Sequence, residues 1–380
     1  MKFDYLPITS VATIISGGTP KTSMSEYWNG NIPWLSVKDF NNGSKFVYST
    51  EKHITELGLK NSSTNLLRAD DIIISARGTV GEMAMIPFDM AFNQSCFGIR
   101  ANIEKILPDY LYYALKNNVQ TIKSSTHGSV FDTITLKDFK VIKIPVPDLE
   151  TQKKIVRILS VLDQKIELNN QELGCLTEIG KEVYSDYAKN VKNNIKATDK
   201  LEFIKGIEPG SKLYKKEKSD GDVRFIRVGD MLSTTPENYV NKQLCLNSIL
   251  SESDIAMSFD ATIGRVSYGI SGGYSSGLRK IKSQDENISN AFIYYWSVSS
   301  DTQKVLFENA TGTTILHASK AIDYFTLPYD KSINAVSTKL GKLYSKQLQL
   351  KGQNNTLTSL RDTLLPKLMS GEIDLGRTTL

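Results

Sequence analysis

A chain of 380 residues is long enough to form two domains and a connector. With 40% apolar and 23% charged residues it has an ordinary globular composition, and it lacks the apolar run of about 18 residues that predicts a transmembrane helix. The net charge of +5 lies at residues 331–380, while residues 1–148 and 201–330 are nearly neutral, which excludes a strongly basic, self-sufficient nucleic-acid binder.

The amino-terminal residues have neither a sufficient apolar segment nor a small-residue cleavage site. We therefore expect no signal peptide and a cytoplasmic location without membrane attachment. The three cysteines, Cys96, Cys175 and Cys245, are odd in number and far apart. This pattern predicts neither a disulfide framework nor a metal site.

The amino-acid sequence contains an internal repeat at an offset of about 182–191 residues. The matched segments are 32–39 with 223–230, 71–81 with 254–264, 112–113 with 294–295, and 126–129 with 310–313. Each copy ends at a proline-containing segment and is followed by a long helical pattern. The repeat predicts two similar domains, at 1–148 and 195–330, with helical regions at 149–190 and 331–375.

Each domain shows the pattern of a mixed α/β unit. Short β-branched and aromatic strands are predicted at 46–49, 71–76, 97–101 and 141–146, separated by Gly, Asn and Ser turns. One helix is predicted from Pro108 to about Lys123, with a counterpart at 289–305. Strands and helices do not alternate as βαβ units, so the pattern favours an α+β fold.

The two long helical segments carry heptad patterns of apolar residues. The first seam is Ile155, Leu159, Leu162, Ile166, Asn169, Leu173, Leu176, Gly180, Val183 and Tyr187, and the second is Val336, Leu340, Leu343, Gln347, Leu350, Asn354 and Leu357, continued by Leu360, Leu364 and Leu368. Such seams require a partner helix, so we expect the two helices to pair with each other as a coiled coil. Asn169 and Asn354 either fix the register inside the seam or lie beside it in solvent.

Catalytic motifs are absent from the sequence. It contains no GxGxxG, P-loop, HExxH or GxSxG motif, and no adjacent prolines of the kind that amino-methyltransferases use. The three histidines are isolated, although His127 and His317 lie close to matched turns. No catalytic residue and no metal ligand is predicted.

The loops of the repeat carry the kinds of side chain that contact DNA phosphates and base edges. The candidates are Thr19, Lys21, Ser36, Lys38, Arg77, Thr79, Asn93, Gln94, His127 and Ser129 in the first copy, and Lys212, Tyr214, Arg224, Arg227, Arg265, Ser276, Arg279 and Thr313 in the second. The turn at 17–21 is matched with 210–216, and Arg77 has Asp260 or Ala261 opposite it. Turn chemistry and solvated surface charge are the alternative interpretations. Trp34 and Phe225 occupy equivalent strand positions and are predicted to be core.

Taken together, the segments resemble the specificity (S) subunit, HsdS, of type I restriction-modification systems. The segments are SGGTPK (16–21), IPWLSVKDF (32–40), DIIISARGTVG (71–81), NQSCFGIRA (93–101), 127–167, KGIEPGSKLY (205–214), VRFIRVGDM (223–231) and LRDTLLPKLMSGEI (360–373). The helix entry with Pro147, Glu150, Gln152 and Ile155 adds to the resemblance, whereas the second copy has no Gln at the matching place.

The resemblance implies two target-recognition domains that each read half of a split, asymmetric site in double-stranded DNA. It implies that the two helices pair as an antiparallel coiled coil and set the unread spacer. It also implies that they dock two modification (M) subunits, with restriction (R) subunits joining the complex. The chain itself would be non-catalytic and bind no cofactor, while S-adenosylmethionine, ATP and Mg²⁺ would belong to the partners. A type IIB-like specificity subunit, a protein-binding scaffold and a stand-alone enzyme are the alternatives.

Overall fold

The computed structural model describes residues 3–40, 43–118, 133–233, 236–312, 315–373 and 375. The chain divides into two compact units, one formed by Met1–Glu167 with Leu357–Leu380 and the other by Leu168–Thr356. We call them unit 1 and unit 2. The four-segment division of the sequence, with boundaries at 148, 190, 195 and 330, stays a prediction.

The described part of unit 1 contains ten short strands. They are β1 (Asp4–Pro7), β2 (Ala12–Ser16), β3 (Trp28–Leu35), β4 (Lys52–Ile54), β5 (Leu66–Leu67), β6 (Ile72–Ser75), β7 (Met83–Met85), β8 (Met90–Phe92), β9 (Cys96–Ala101) and β10 (Lys143–Val146). They form sheets of order β2-β9-β6-β7, β4-β3-β8-β5 and β1-β10. Only the β3–β8 pair is parallel among these described strands.

The helices of unit 1 pack on these sheets. They are α1 (Ile8–Val11), α2 (Val37–Phe40), α3 (Glu56–Lys60), α4 (Pro108–Asn117) and α5 (Asp138–Val141). Pro108 occupies the first turn of α4, where its missing N–H costs no helical hydrogen bond. The core of the unit joins β6 and α4 to the start of the first long helix and to Leu365, Leu368 and Met369 near the carboxyl terminus.

Unit 2 repeats the strand order of unit 1. Its described strands are β11 (Asn194–Lys196), β12 (Leu201–Lys205), β13 (Asp222–Ile226), β14 (Tyr239–Asn241), β15 (Ile249–Leu250), β16 (Ile255–Ser258), β17 (Asp260–Ala261), β18 (Val266–Ser267), β19 (Gly272–Tyr274), β20 (Leu278–Ser283), β21 (Leu316–His317) and β22 (Thr326–Pro328). The sheets have the orders β12-β20-β16-β18, β14-β13-β19-β15, β11-β22 and β17-β21. The first three match the sheets of unit 1 strand for strand, which confirms the predicted internal repeat.

Two long helices complete the fold. α6 spans Leu149–Asn190, while unit 2 adds α7 (Asn290–Val298) and α8 (Ser300–Glu308) before α9 (Ile333–Ser370). At about 1.5 Å per residue, the 42 residues of α6 extend roughly 60 Å. Asp148 begins α6 by accepting a hydrogen bond from the Thr151 N–H at 2.9 Å. With this mixed α/β content and these helices, the predicted fold class is confirmed.

The heptad seams lie where the sequence predicts them. Within unit 2, Asn169 bonds to Asn354 at 2.8 Å and Thr177 to Gln347 at 2.9 Å, so α6 and α9 run antiparallel there. Within unit 1, Asp163 of α6 contacts Arg361 of α9. Many of the seam residues are buried or half-buried, among them Ile155, Leu159, Leu162, Ile166, Leu173, Leu176, Leu340, Leu343, Leu350, Leu357 and Leu364.

Three details differ from the prediction. Residues 46–49 form no strand, since only Phe46 makes an isolated bridge, to Met85. The helix predicted at 289–305 is broken, because extended Ser299 ends α7 and its side chain caps α8 through the Thr302 N–H. Leu360 is 46% exposed, and Arg361 takes the seam position instead.

Candidate nucleic-acid interface

Each unit has a cleft at the carboxyl ends of its parallel strand pair. In unit 1, β3 and β8 run parallel, so Ser36 and Asn93 follow their strands at the same edge, joined by an Asn93 N–H to Leu35 O bond of 3.0 Å. In unit 2, β13 and β19 place Arg227 and Ser275 in the same way. Polar loop side chains therefore converge at one edge of each unit.

The cleft of unit 1, which we call the first cleft, has a volume of about 370 Å³. Its lining residues are Trp34, Ser36, Val37, Lys38, Asp39, Glu51, Lys52, Arg77, Asn93 and Ser95. Asp39 is committed to the fold, because it accepts hydrogen bonds from the Ser36 N–H and hydroxyl and from the Glu51 N–H. Lys38 and Arg77 form no ion pair with any described residue. Three cations and two carboxylates thus line this cleft.

The cleft of unit 2, the second cleft, has a volume of about 490 Å³. Its lining residues are Glu208, Arg227, Val228, Gly229, Asp230, Asp260, Ser275, Ser276 and Gly277. Its one cation, Arg227, is bound by Asp230 at 3.1 Å and Glu237 at 3.4 Å. These bonds hold the pKa of Arg227 above its ordinary value, chiefly through the hydrogen bond to Asp230. One cation and three carboxylates line the second cleft, so its charge differs in sign from that of the first.

The structure identifies the residue of unit 2 that is equivalent to Arg77 of unit 1. Ser75 and Ser258 make the same turn, each donating its hydroxyl to a carbonyl four residues ahead. Arg77, two residues after Ser75, forms a backbone bridge with Thr133, and Asp260, two residues after Ser258, forms one with His317. Asp260 is therefore the counterpart of Arg77.

The glycine turn at 17–21 aligns differently from the prediction. A Cβ on Gly17 would lie 2.0 Å from the Asn93 carbonyl oxygen, and a Cβ on Gly206 would lie 2.1 Å from that of Ser275. Both glycines allow the same close approach of backbone to backbone at the end of β2 or β12. The counterpart of Gly17 is Gly206, so the predicted match with 210–216 is wrong by four residues.

The clefts bring together six of the residues predicted from the sequence: Ser36, Lys38, Arg77, Asn93, Arg227 and Ser276. The cleft residues that the sequence did not suggest include Lys52, Glu51, Glu208, Asp230 and Asp260. Asp39 and Asp230 were predictable, because they occupy the same position in the two copies of the repeat. Asp39 lies three residues after Ser36, Asp230 lies three residues after Arg227, and each aspartate accepts the N–H of that earlier residue. The other acidic residues could not be predicted, because an acidic residue in a loop has no feature in the sequence that distinguishes it from a solvated surface charge.

Other candidates lie outside the linings, and their role as DNA contacts stays a prediction. Thr19 bonds to Gln94, Tyr214 donates to Glu208 at 2.9 Å, and Arg265 donates to the Val228 carbonyl at 3.2 Å. Three further residues of this group, Lys21, Thr79 and Lys212, are exposed. The last, Arg224, donates hydrogen bonds to two backbone carbonyls. His127, Ser129 and Thr313 lie outside the described residues.

Arg279 has a different environment from the one predicted. Its side chain is buried, with only 6% of the residue exposed. The guanidinium donates to the Ser276 and Leu278 carbonyls and to the Ser319 hydroxyl, and it lies 5.6 Å from the Phe259 ring centre. Burial lowers the pKa of Arg279 below its ordinary value. Because the donors of Arg279 are bound to groups of the protein itself, we do not include this residue in the candidate interface.

The ends of the long helices are fixed by buried polar groups. In unit 1, Gln152 accepts from the Leu107 N–H at 2.8 Å and donates to the Lys105 and Pro147 carbonyls, both at 2.9 Å. The second copy has no such glutamine, and Ser337 bonds to Ser289 instead. The entry to α9 is thus built differently, as the sequence indicated.

The structure places the seam asparagines and distinguishes between the two glycines of α6. Asn169 donates to Asn354 at 2.8 Å, which places both asparagines inside the seam of unit 2 rather than in solvent. A Cβ on Gly180 would lie 2.0 Å from the Tyr295 ring, whereas one on Gly174 would meet nothing within 4 Å. Gly180 is therefore required for close packing, and Gly174 is not.

Residues 2–178 match the sequence model of the family described as "Type I restriction modification DNA specificity domain". The chain is therefore similar to this family over a segment that is just under half of its length. The resemblance to type I specificity subunits is thereby confirmed.

The chain is also similar to curated proteins and to a solved structure. The chain is 26% identical to the type I restriction enzyme MjaIX specificity subunit of Methanocaldococcus jannaschii, over 98% of this chain and 93% of that protein. It is 36% identical to the EcoR124I/EcoR124II specificity subunit of Escherichia coli, over 39% of this chain and 37% of the relative. The crystal structure of the type I restriction-modification S subunit from M. genitalium has the same fold, with a TM-score of 0.53, 17% identity and coverage of 97% and 96%.

The described residues contain neither a candidate metal site nor a candidate membrane span. Within the described ranges, no group of three or more His, Cys, Asp or Glu side chains is placed to hold a metal ion. None of the helices in the described part of the chain combines the length and apolarity that a membrane span requires. The two clefts are the candidate site of this chain.

Proposed function

We propose that the chain supplies sequence choice to a type I restriction-modification complex, with each unit reading one half of a bipartite, asymmetric site in double-stranded DNA. The observation that carries this proposal is the pair of clefts, which lie at the same place in a duplicated fold but have different linings. A shared scaffold with different polar side chains suits the reading of two different short sequences, because base edges are distinguished by their donor and acceptor patterns.

The long helices are proposed to set the unread spacer and to dock two modification subunits and, through the complex, restriction subunits. The support is that α6 continues without a break over 42 residues and that the Asn169–Asn354 pair fixes one register in the seam. We propose that the chain is non-catalytic. S-adenosylmethionine, ATP and Mg²⁺ would be bound by the partners, which would also supply much of the phosphate contact that the nearly neutral domains lack.

The test is a map of methylated adenines in a host that lacks endogenous methylation. The chain co-expressed with its modification subunits should produce one bipartite motif, and omission of the chain should abolish it. Replacing residues 1–148 with the corresponding domain of a relative should change one half of the motif and leave the other unchanged. A control carries the same domain replaced by a resynthesised copy of its own sequence.

Two outcomes would contradict the proposal. If the motif is identical with and without the chain, the chain does not choose the sequence. If both halves change in the domain replacement, the two units do not read separate half-sites. Failure of the purified complex to shift any genomic DNA fragment at moderate salt would favour a protein-binding scaffold instead.

A further inference from the structure

One position of the repeat carries opposite hydrogen-bonding chemistry in the two clefts. Arg77 and Asp260 stand two residues after the equivalent serines Ser75 and Ser258, and each lines the cleft of its own unit. The surrounding backbone is the same, since both positions begin a short antiparallel pairing with the segment at 133 or 316–317. The side chain is therefore what differs, with donors only in one copy and acceptors only in the other.

Among the described residues, none occupies the side-chain donors of Arg77, which leaves them open to a ligand. Its side chain is exposed, and it forms no hydrogen bond or ion pair with any described residue. Its bridge to Thr133 uses the backbone alone. The guanidinium is a planar fork of N–H groups, so it can bond to two acceptors at once.

Asp260 is held with one oxygen in use and the other available. His317 Nδ1 lies 2.7 Å from Oδ1, and no described group donates a hydrogen bond to Oδ2. The Asp260 side chain is 27% exposed. Gly277 keeps the adjoining space open, because a Cβ there would stand 3.5 Å from Oδ2 and 2.9 Å from a methyl of Val228. The carboxylate is thus oriented by His317 and presents one acceptor to the cleft.

The edges of the bases discriminate between these two side chains. In the major groove, guanine presents two adjacent acceptors, N7 and O6, which match an arginine fork. Cytosine presents an amino donor, N4, which matches a carboxylate oxygen. Adenine also presents an amino donor, but its neighbouring N7 lone pair would repel a carboxylate. Asp260 therefore favours cytosine over adenine.

We propose that Arg77 and Asp260 are specificity-determining residues at equivalent places, Arg77 reading a guanine in the half-site of unit 1 and Asp260 a cytosine in the half-site of unit 2. This inference rests on the proposed function. His317 is a positioning residue, which acts on the DNA only through the orientation of Asp260.

The experiment uses the full chain co-expressed with its modification subunits in a methylation-free host. The wild-type motif is mapped first, and the variants Asp260→Asn, Asp260→Ala, His317→Ala and Arg77→Ala are then mapped in the same host. Competition binding of each purified complex follows, with synthetic duplexes that differ from the wild-type site at one base pair. The control variants are Glu217→Gln and Arg68→Ala, which remove exposed charges away from the clefts.

The expected results are specific for each variant. Asp260→Asn changes one cytosine of one half-site to a preference for adenine, because an amide can donate to N7 and accept from N6. Asp260→Ala relaxes that same position, with discrimination falling roughly tenfold or more. Arg77→Ala relaxes a guanine in the other half-site. His317→Ala weakens discrimination at the Asp260 position without changing the preferred base, and both controls retain the wild-type motif.

The outcomes separate the two proposals. If the wild-type chain gives no motif of its own, the proposed function fails. If the motif appears but both Asp260 variants leave it unchanged, or the altered position holds no cytosine in the wild type, only the inference is overturned. Because Asp260→Asn preserves the size of the side chain, its complex is expected to assemble even if the alanine variant does not.

Discussion

The two copies of the repeat attach the same tyrosine to the long helices in different ways. In unit 1, the Tyr113 hydroxyl donates to Asp163 at 2.5 Å, and Asp163 pairs with Arg361 at 2.9 Å in a buried site. In unit 2, the equivalent Tyr295 hydroxyl donates to Gln347 at 3.3 Å, and no charged group takes part in that contact. One geometry is therefore held by an ion pair in one copy and by neutral groups in the other.

The difference shows where each unit is vulnerable. In unit 1, burial opposes the charge of Arg361, but its bond to Asp163 and the charge of that carboxylate raise the pKa of Arg361 above the ordinary value. Removing the Asp163 carboxylate would leave the buried Arg361 without its buried partner. In unit 2 the ring of Tyr295 lies directly against Gly180, so that contact depends on the absence of a side chain. Unit 1 is sensitive to charge and unit 2 to volume.

The largest effect is expected from Asp163→Asn. It retains the size of the side chain but leaves Arg361 with only the half-exposed Asp362 as an ion-pair partner. Removing one partner of a buried pair costs up to about 3–5 kcal/mol. Chemical denaturation measures the loss, and hydrogen exchange should locate it in unit 1. The matched control is Asp362→Asn, which removes the other, half-exposed partner of Arg361 and should cost below about 1 kcal/mol. Equal losses in both variants would show that the buried ion pair does not stabilise unit 1.

A smaller effect is expected from Gly180→Ala. The new Cβ would lie 2.0 Å from the buried Tyr295 ring, so overpacking should destabilise unit 2 by about 1–3 kcal/mol. Gly174→Ala provides the comparison on the same helix, because its Cβ would meet nothing within 4 Å. Replacing this exposed helical glycine should stabilise the chain by about 0.5–1 kcal/mol. Thermal unfolding of the two variants decides the point, and a stabilising Gly180→Ala would disprove the packing argument.

The smallest effect concerns acid. In unit 2, hydrogen bonds from Tyr329 at 2.6 Å and from Lys200 at 2.9 Å hold the pKa of Asp285 below its ordinary value. Unit 1 has the exposed Ile103 at the matching place after β9. A carboxyl group with a lowered folded-state pKa contributes stability above its unfolded pKa, near 4, and loses that contribution as the pH falls.

Thermal unfolding between pH 5 and pH 2.5 measures this contribution. The midpoint for unit 2 should fall less steeply in Asp285→Asn than in the wild type, because the variant has no carboxyl group to protonate. Asp323→Asn, at an exposed carboxylate without an ion pair in the described residues, should retain the wild-type slope. Parallel slopes for all three proteins would rule out a role for Asp285 in acid sensitivity.

The regular parts of the fold could be predicted because they follow from local patterns. The heptads located both seams, and the repeat of short apolar strands located both units. The prediction that Leu360 lies in the seam was wrong, because a heptad pattern counts only apolar residues. Arg361 takes the seam position, since it pairs with Asp163, 198 residues earlier in the chain. Pairing over such a distance leaves no periodic signal.

The candidate site was predictable only in part. Ser36, Lys38, Arg77 and Asn93 were found because they follow strands in repeated loops, and the structure brings them into one cleft. Arg279 looked equivalent in sequence, but the Phe259 ring and three protein acceptors hold it inside. Whether a loop arginine faces the cleft or the core depends on tertiary neighbours.

Unit 1 is built from two segments that are far apart in the sequence, which has a consequence for its folding during synthesis on the ribosome. Its core includes Leu365, Leu368 and Met369, which are translated more than 190 residues after α6 begins at Leu149. The first 167 residues therefore emerge long before the chain can supply these side chains and the Arg361 that pairs with Asp163. Unit 2, whose residues 168–356 are continuous, can complete its contacts first. Unit 1 is thus completed after unit 2, and the apolar surface that these three side chains cover stays open until Met369 has been translated.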